Sequence, residues 1–286
     1  MDDFAKKAAQ LIDVPFTKMT GSGNDFVFFD ARFAPSGIVT QPEIIRSICN
    51  RHNGIGADGL VLLEVAHPTA DVRVRYFNSD GTSADLCGNA TLCSATLCAD
   101  IGLASALGMT LETPSGIISS RVTGVPEIDL PTVSGVVSDA NIPRVARERR
   151  IGFAVVGIPH LVVLCDSTEL ADVQQRGPVL RNHPSSGANG ANVNWVASDA
   201  SGVWRYRTFE RGVEGETLAC GTGAVATAAM LVTWGQTDSP VVLRTSSGRE
   251  LTVQFKDSAV NSLLVPTLLG EGRIVFRGRI ATLLGQ

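Results

Sequence analysis

No pair of cysteines in the chain has CxxC spacing, and its four histidines, His52, His67, His160 and His183, form neither an HxxxH nor an HExxH pattern. The common structural-zinc frameworks are thereby excluded, and no metal is expected. Six cysteines in 286 residues are too sparse for a disulfide scaffold. No uninterrupted apolar run approaches the roughly 18 residues of a membrane span. The charged amino terminus, MDDFAKKAAQLID, has no signal-peptide core. A cytoplasmic protein without a membrane partner is therefore expected. A basic surplus is missing as well: 24 Lys+Arg stand against 28 Asp+Glu, for a net charge of −4. That argues against a nucleic-acid partner. The one charge cluster, Arg144–Arg150 (RVARERR), reads as a solvated connector between domains.

What is present describes a folded chain. Hydrophobic residues make up 44% and charged residues 18%, which excludes a disordered protein. The length suits two domains. Short β-like runs alternate with glycine-rich turns, beginning with PFTKMTGSGNDFVFFDAR, which reads as strand, tight turn, strand. The GxG at Gly21–Gly23 could be a dinucleotide turn, but it lacks a third glycine and leads into a β-like run, so a hairpin is expected. Helices are expected at Gln41–Asn50, with Pro42 in the first turn, and at Thr168–Gln175, with Thr168 as cap. Two further helices, 88–99 (GNATLCSATLCA) and 221–234 (GTGAVATAAMLVTW), carry no charge on any face and must be buried all round. Gly235 is a fitting C-terminal cap for the second.

These two helices begin alike. Asp85-Leu86-Cys87-Gly88-Asn89 leads into the first and Leu218-Ala219-Cys220-Gly221-Thr222 into the second, half a chain apart. The pattern reads as a domain-sized internal repeat in an α/β (α+β) protein, each unit a buried central helix wrapped by strands. A cysteine at a helix N-terminus has its thiolate favoured by unpaired N–H groups, which also bind anions such as carboxylates. Two such sites facing one ligand across a cleft would suit proton transfer at the carbon beside a carboxylate: one thiolate removes a proton, and the opposite thiol returns one to the other face. The plainer alternative is two inert buried cysteines. Cys49, Cys93, Cys98 and Cys165 are expected to be core residues.

Four segments carry a resemblance to the diaminopimelate epimerases, which are cofactor-independent amino-acid epimerases: Phe16–Asp30 (FTKMTGSGNDFVFFD), Arg51–Leu60 (RHNGIGADGL), Phe77–Asn89 (FNSDGTSADLCGN) and Phe209–Gly223 (FERGVEGETLACGTG). The resemblance implies two similar domains, 1–124 with 274–286 and 125–273, an active site in the cleft between them, and a short extension at 1–15. It implies Cys87 and Cys220 as the acid–base pair and Asn24 beside the reacting centre. Gly88, Asn89, Gly221 and Thr222 would hold the carboxylate there. Asn78, Asn192 and Arg211 would hold the distal end of the substrate, Glu210 an ammonium group, and His160 and Glu216 would tune the thiols. It implies no cofactor, a small amino-acid substrate and a homodimer. LL-diaminopimelate, converted to the meso form for lysine and peptidoglycan precursors, is the implied substrate.

The chain departs from the family pattern at several points. Ala90-Thr91-Leu92 follows Asn89 where the family often has glycine and arginine, and Ile158 stands in Gly157-Ile158-Pro159-His160 where it often has asparagine. An extra residue lies in Arg211–Thr217, and the segment before Asn192 (HPSSGANGAN) lacks the usual Phe-Pro. Ile158 motivates a racemase or epimerase of another amino acid as an alternative. A homologue that binds without turnover is another, and an isomerase of the wider fold group is a third. Simpler roles also stand beside the implied ones. Asn24 and Asn89 suit turns or caps, Asp58 suits a turn, and Arg211 suits an ion pair with Glu214 or Glu216.

Overall fold

Runs of β-branched and aromatic residues between glycine-rich turns form strands along the whole chain. The computed structural model describes residues 3–66, 68–84, 86–256 and 264–283, so His67 and Asp85 lie outside the described residues. The chain divides into two compact units, Met1–Ile128 with Glu271–Gln286, and Asp129–Gly270.

In the first unit, β1 (Pro15–Gly21) and β2 (Asn24–Asp30) form an antiparallel hairpin closed by Gly21 and Asn24. The GxG is its turn: Ser22 and Gly23 both take positive φ, 53° and 103°, as a tight hairpin turn requires. β3 (Gly59–Val65) joins β2 in parallel, and β4 (Val72–Asn78) joins β3 antiparallel. β4 also pairs with the short antiparallel β5 (Ser83–Ala84) and the parallel β6 (Met109–Thr113). β7 (Gly116–Arg121) and β8 (Glu127–Asp129) follow antiparallel.

The second unit contains β9 (Ser134–Val137), β10 (Glu148–Val156), β11 (Ile158–Cys165), β12 (Asn192–Ser198), β13 (Trp204–Glu210), β14 (Gly215–Thr217), β15 (Val241–Arg244), β16 (Glu250–Lys256) and β17 (Val265–Gly270). From β10 onward its pairing repeats the first unit step for step. The hairpin β10–β11 is followed by parallel β11–β12 and antiparallel β12–β13. β13 then carries antiparallel β14 and parallel β15, and β15, β16 and β17 run antiparallel. β9 flanks β10 as β18 (Arg273–Arg279) flanks β1. The repeat therefore extends through each unit, far beyond the two Cys-Gly segments.

The helices among the described residues are α1 (Asp3–Ala9), α2 (Ser36–Val39), α3 (Pro42–Cys49), α4 (Gly88–Asp100), α5 (Val173–Arg181) and α6 (Gly221–Thr233). Parallel neighbours need a crossover. α3 supplies it between β2 and β3, and α5 between β11 and β12. Both crossover helices pack on the outer face of their sheet. Ile44, Ile45 and Ile48 share a core with Val27, Phe29, Leu60 and Leu62. Val173 and Leu180 do so with Leu161, Val163, Val193 and Trp195. The alternate strand residues face the other way, towards α4 in one unit and α6 in the other.

Residues 88–95 and 221–231 are buried without interruption, as helices lacking a charged stripe must be. Their hydroxyls do not stay orphaned. Thr91, Ser94 and Thr227 donate to the carbonyls of Cys87, Ala90 and Gly223, one turn back. Gly235, at φ 64°, follows the end of α6.

Two expectations are corrected. The helix expected at Thr168–Gln175 is α5, which starts five residues later and is capped by Asp172, whose side chain accepts from the Gln175 N–H at 3.2 Å. The RVARERR segment is not a connector between the units. Glu148, Arg149 and Arg150 open β10 inside the second unit, and Arg149 pairs with Asp166 at 2.5 Å. The extension ahead of β1 is part of the first unit's core: Ala8, Leu11 and Val14 pack with Ile44, Ile45 and Ile48. Asp13 donates to the Ile280 carbonyl (2.8 Å), and Ile280 returns a bond to Val14 (3.1 Å). No helix among the described residues is long and apolar enough to cross a membrane.

Candidate active site

Cys87 and Cys220 occupy the same place in the two repeats. Each is the N-cap of its buried helix, in nearly identical extended conformations (φ −128°, ψ 111° and φ −132°, ψ 114°). Each carbonyl accepts the first helical hydrogen bond, from Thr91 and from Ala224, both at 2.9 Å. All six cysteines are free thiols. Cys49, Cys93, Cys98 and Cys165 are core residues. Burial pushes the Cys49 and Cys98 thiols up to about 12 and Cys165 to about 11. They are inert packing groups.

In the first unit, the hairpin turn brings Asn24 to the first turn of α4. Asn89 donates to the Asn24 side-chain oxygen at 2.6 Å, while the Asn24 amide donates to Asp58 at 3.3 Å. Asp58 is itself anchored. Arg51 bridges Asp25 and Asp58, both at 2.7 Å, and Lys18 reaches Asp25 at 2.7 Å and the Gly56 carbonyl. Partial burial works to raise the Asp25 carboxyl, but the bonds and charges of Arg51 and Lys18 outweigh it and hold it well below the usual carboxylate range. Asp58 thus does more than close its own turn: it orients Asn24. Gly88 and Asn89 are buried at the helix end beside a half-buried Cys87. Asn78 ends β4 and donates to the Thr82 hydroxyl at 3.0 Å within the turn that follows.

In the second unit, Cys220 is enclosed. Its sulfur lies 3.8 Å from the Asn192 amide and 3.6 Å from the Thr222 hydroxyl. Glu210 also meets the thiol, and its carboxylate accepts from Thr217. Burial raises the Cys220 thiol well above its ordinary value. The Glu210 charge adds to this, while the Thr222 hydroxyl and the Gly223 N–H act against it. Cys220 therefore rests as a neutral thiol. Asn192 accepts from the Arg211 N–H at 2.8 Å, which fastens the start of the 211–217 loop to the site. The ion pairs that the sequence allowed for Arg211 do not form: Glu214 pairs with Arg181 at 2.9 Å and Glu216 with Arg207 at 2.6 Å. Glu216 lies in a two-pronged bond with Arg207, so the carboxylate at Cys220 is Glu210. His160 is fully buried, and burial together with the nearby Arg211 charge pushes its imidazole down to about 3.

Sequence reasoning passed over Asn194, Tyr206 and Thr208. The Tyr206 hydroxyl, with one hydrogen to give, lies 3.0 Å from the Cys220 carbonyl and 3.2 Å from Asn194 Oδ1, and Thr208 donates to Asn194 (3.0 Å). The signal was available in the two-residue period of a strand. Tyr206, Thr208 and Glu210 share one face of β13, and three polar groups on a face otherwise turned to a buried helix need partners.

The geometry can be set beside known proteins. The sequence profile described as diaminopimelate epimerase matches residues 16–130 and 152–270. The chain belongs to the diaminopimelate epimerase family. A diaminopimelate epimerase of Gemmatimonas aurantiaca is 58% identical over 275 residues, 94% of this chain and 99% of the relative. One from Aquifex aeolicus is 34% identical and covers 93% of this chain and 97% of its own length. Among solved structures, a Bacillus anthracis protein of the PhzF phenazine-biosynthesis family aligns with TM-score 0.69 at 15% identity, covering 93% of this chain and 98% of its own. A hydroxyproline epimerase from Agrobacterium vitis, with bound trans-4-hydroxy-L-proline, aligns with TM-score 0.67 at 16% identity, covering 93% and 92%. At those identities the two structures establish the shared fold. Within the epimerase family, the two N-cap cysteines and the groups around them are the candidate machinery of this chain.

Proposed function

We propose that this protein is a diaminopimelate epimerase, converting LL-2,6-diaminopimelate to the meso isomer by a two-base reaction without a cofactor. The observation that carries the reading is the duplicated site: one thiol at the head of each charge-free buried helix, in matched backbone geometry. One sulfur takes the α-proton as thiolate and the other delivers a proton to the opposite face, so the stereocentre inverts. The N–H groups of Gly88, Asn89, Gly221 and Thr222 stand at helix N-termini, where charge developing on the substrate carboxylate is favoured. Cys220, held neutral, is the proton donor in the resting enzyme, which leaves abstraction to Cys87. Asn24, oriented by Asp58, serves the end of the substrate that reacts. Asn78, Asn192, Glu210 and Arg211 serve its ammonium and distal carboxylate.

The domains of the enzyme follow the two compact units, Met1–Ile128 with Glu271–Gln286 and Asp129–Gly270, and it acts in the cytoplasm as a homodimer. Light scattering of the purified protein checks the dimer. One observation favours a second reading. In the repeat, Ile158 stands where Asn24 stands in the first unit, two residues before the strand position shared by Phe26 and His160. An apolar side chain there suits an amino acid with a less polar distal end.

Proton NMR in D2O separates the two. Loss of the α-proton signal of LL-diaminopimelate, with growth of the meso isomer, is expected. Exchange only with another amino acid favours the second reading. Cys87→Ala and Cys220→Ala should each lower turnover at least about a thousandfold in folded protein. Near-wild-type turnover in either variant refutes the two-base assignment.

A further inference from the structure

One face of β12 and β13 carries a polar ladder, Asn192, Asn194, Tyr206, Thr208 and Glu210. The strand registers of the two units correspond, so each rung has a counterpart in β3 and β4. Asn194 and Tyr206 match Val61 and Val74, while Asn192 and Thr208 match Gly59 and Tyr76. At the last two positions bulk has been exchanged between neighbouring strands. The second unit sets an asparagine on β12 beside a short threonine on β13. The first sets a glycine on β3 beside a tyrosine on β4.

Tyr76 leans across that glycine. A Cβ on Gly59 would lie 2.5 Å from the Tyr76 ring, 3.0 Å from its hydroxyl and 2.6 Å from the Phe77 carbonyl. Beyond Gly59 the ring meets Phe26 of β2 edge-on, with centroids 5.8 Å apart. The phenol therefore fills the space over β3 that the Asn192 side chain fills over β12. In the second unit that space borders the thiol, for the Asn192 amide lies 3.8 Å from the Cys220 sulfur. Cys87 heads its helix in the same backbone geometry as Cys220. Tyr76 and Cys87 line one small cavity together with Leu86, Ala90 and Thr91. Phe26, Val61 and Val74, beside Tyr76 on this face, are apolar, so a phenylalanine ring would serve the packing as well.

We infer that Tyr76 is a positioning residue for Cys87: its hydroxyl stands where Asn192 stands at Cys220 and donates a hydrogen bond to the sulfur, favouring the thiolate that takes the α-proton. A hydrogen bond to the charged form of a group favours that form, and bonds to an ionised acceptor are the stronger ones. Cys220 has the opposite surroundings, with Glu210 against its thiol. Cys93 also meets Cys87, from within α4, but burial pushes its own thiol up and keeps it neutral. The inference rests on the proposed epimerase function for what the thiolate does, while its first test reads the thiol without substrate.

Tyr76→Phe keeps the ring over Gly59 and removes the hydroxyl. The pH profile of Cys87 alkylation, followed by peptide mass spectrometry on the purified protein, should move up by about 0.5–1.5 pH units, with the Cys220 peptide as internal control. A Cys87 profile that stays in place overturns the inference. Tyr76→Leu removes ring and hydroxyl together and should move the profile as far. A shift in Tyr76→Leu alone assigns the side chain to packing and overturns the donor role. Turnover follows the thiolate: kcat at neutral pH should fall about three- to thirtyfold in Tyr76→Phe, with KM for diaminopimelate within about twofold of wild type. A raised KM with unchanged kcat puts Tyr76 on the substrate and overturns the positioning role. If the thiol moves as expected but wild-type protein does not turn over diaminopimelate, the donor stands and it is the substrate reading that fails.

Discussion

Gly223→Ala tests the packing of the second site against its polar ladder. A Cβ on Gly223 would lie 2.4 Å from Asn194 Oδ1 and 2.5 Å from the Tyr206 hydroxyl. Ordinary contact requires a shift of roughly 1 Å. Neither neighbour is free to move, because Oδ1 accepts from Thr208 and the Tyr206 hydroxyl is shared between Oδ1 and the Cys220 carbonyl. Overpacking of this kind costs about 1–3 kcal/mol, and a buried polar group left without its bond costs about 1–3 kcal/mol more. The gain in helix propensity returns up to about 1 kcal/mol. The expected net loss is about 1–5 kcal/mol. All three tryptophans, Trp195, Trp204 and Trp234, lie in the second unit, so urea denaturation followed by their fluorescence reads the affected unit. A change below about 0.5 kcal/mol, or a gain, refutes the packing argument. The first unit supplies an internal comparison: Ala90 occupies the matching place on α4, and there the facing strand positions are Val61 and Val74 instead of an amide and a phenol.

Other outcomes follow from the same geometry. Arg211→Ala should raise KM for diaminopimelate by about ten- to a hundredfold with a smaller effect on kcat, since a carboxylate loses its charged partner; an unchanged KM removes Arg211 from the site. Cys49, Cys98 and Cys165 are pushed from 9.0 to about 12, 12 and 11 in the folded protein, so the unfolded chain ionises first. Their contribution to stability is fully present below about pH 9 and is lost as pH rises towards about pH 11–12; a urea midpoint that is flat across that range contradicts the assigned burial. Alkylation at neutral pH should reach half-buried Cys87 at least about ten times faster than Cys220, which is 7% exposed and neutral. Peptide mapping by mass spectrometry checks the order, and faster labelling of Cys220 refutes its assignment as the resting thiol.

Much of this architecture was legible in the residues. The GSGN turn between two β-like runs specified the first hairpin, and the absence of charge from 88–99 and 221–234 specified two enclosed helices. The Cys-Gly steps then marked the repeat. What stayed hidden has physical causes. The helix expected at Thr168–Gln175 stops short of Gly177 and Pro178, yet both lie inside α5. Gly177 is there because the Phe209 ring sits 2.5 Å from where its Cβ would be. Arg149 and Arg150 read as loop because strand propensity says little about an exposed strand start whose charge is matched across the sheet by Asp166. Long-range partners are the other gap. Glu210 and Glu216 are both acidic residues near Cys220 in sequence, and only the course of β13 and β14 decides that Glu210 meets the thiol while Glu216 meets Arg207.

The two units share a scaffold but not a chemistry. In the first, the polar contact at the helix head comes from β2, through Asn24, and Gly59 opens β3 without a side chain. In the second, the matching β2 position is Ile158, and the contact comes instead from Asn192, which opens β12 where Gly59 opens β3. Asparagine has moved from one strand to its neighbour between the repeats. With it come Glu210 against the thiol and a ladder of His160, Asn194, Tyr206 and Thr208 whose first-unit counterparts are mostly apolar. Inversion of a stereocentre needs two groups in opposite protonation states, and two identical sites would share their proton evenly. Changing the strand residues around one helix head, while leaving the backbone of both alike, gives each thiol its own surroundings at no cost to the repeat.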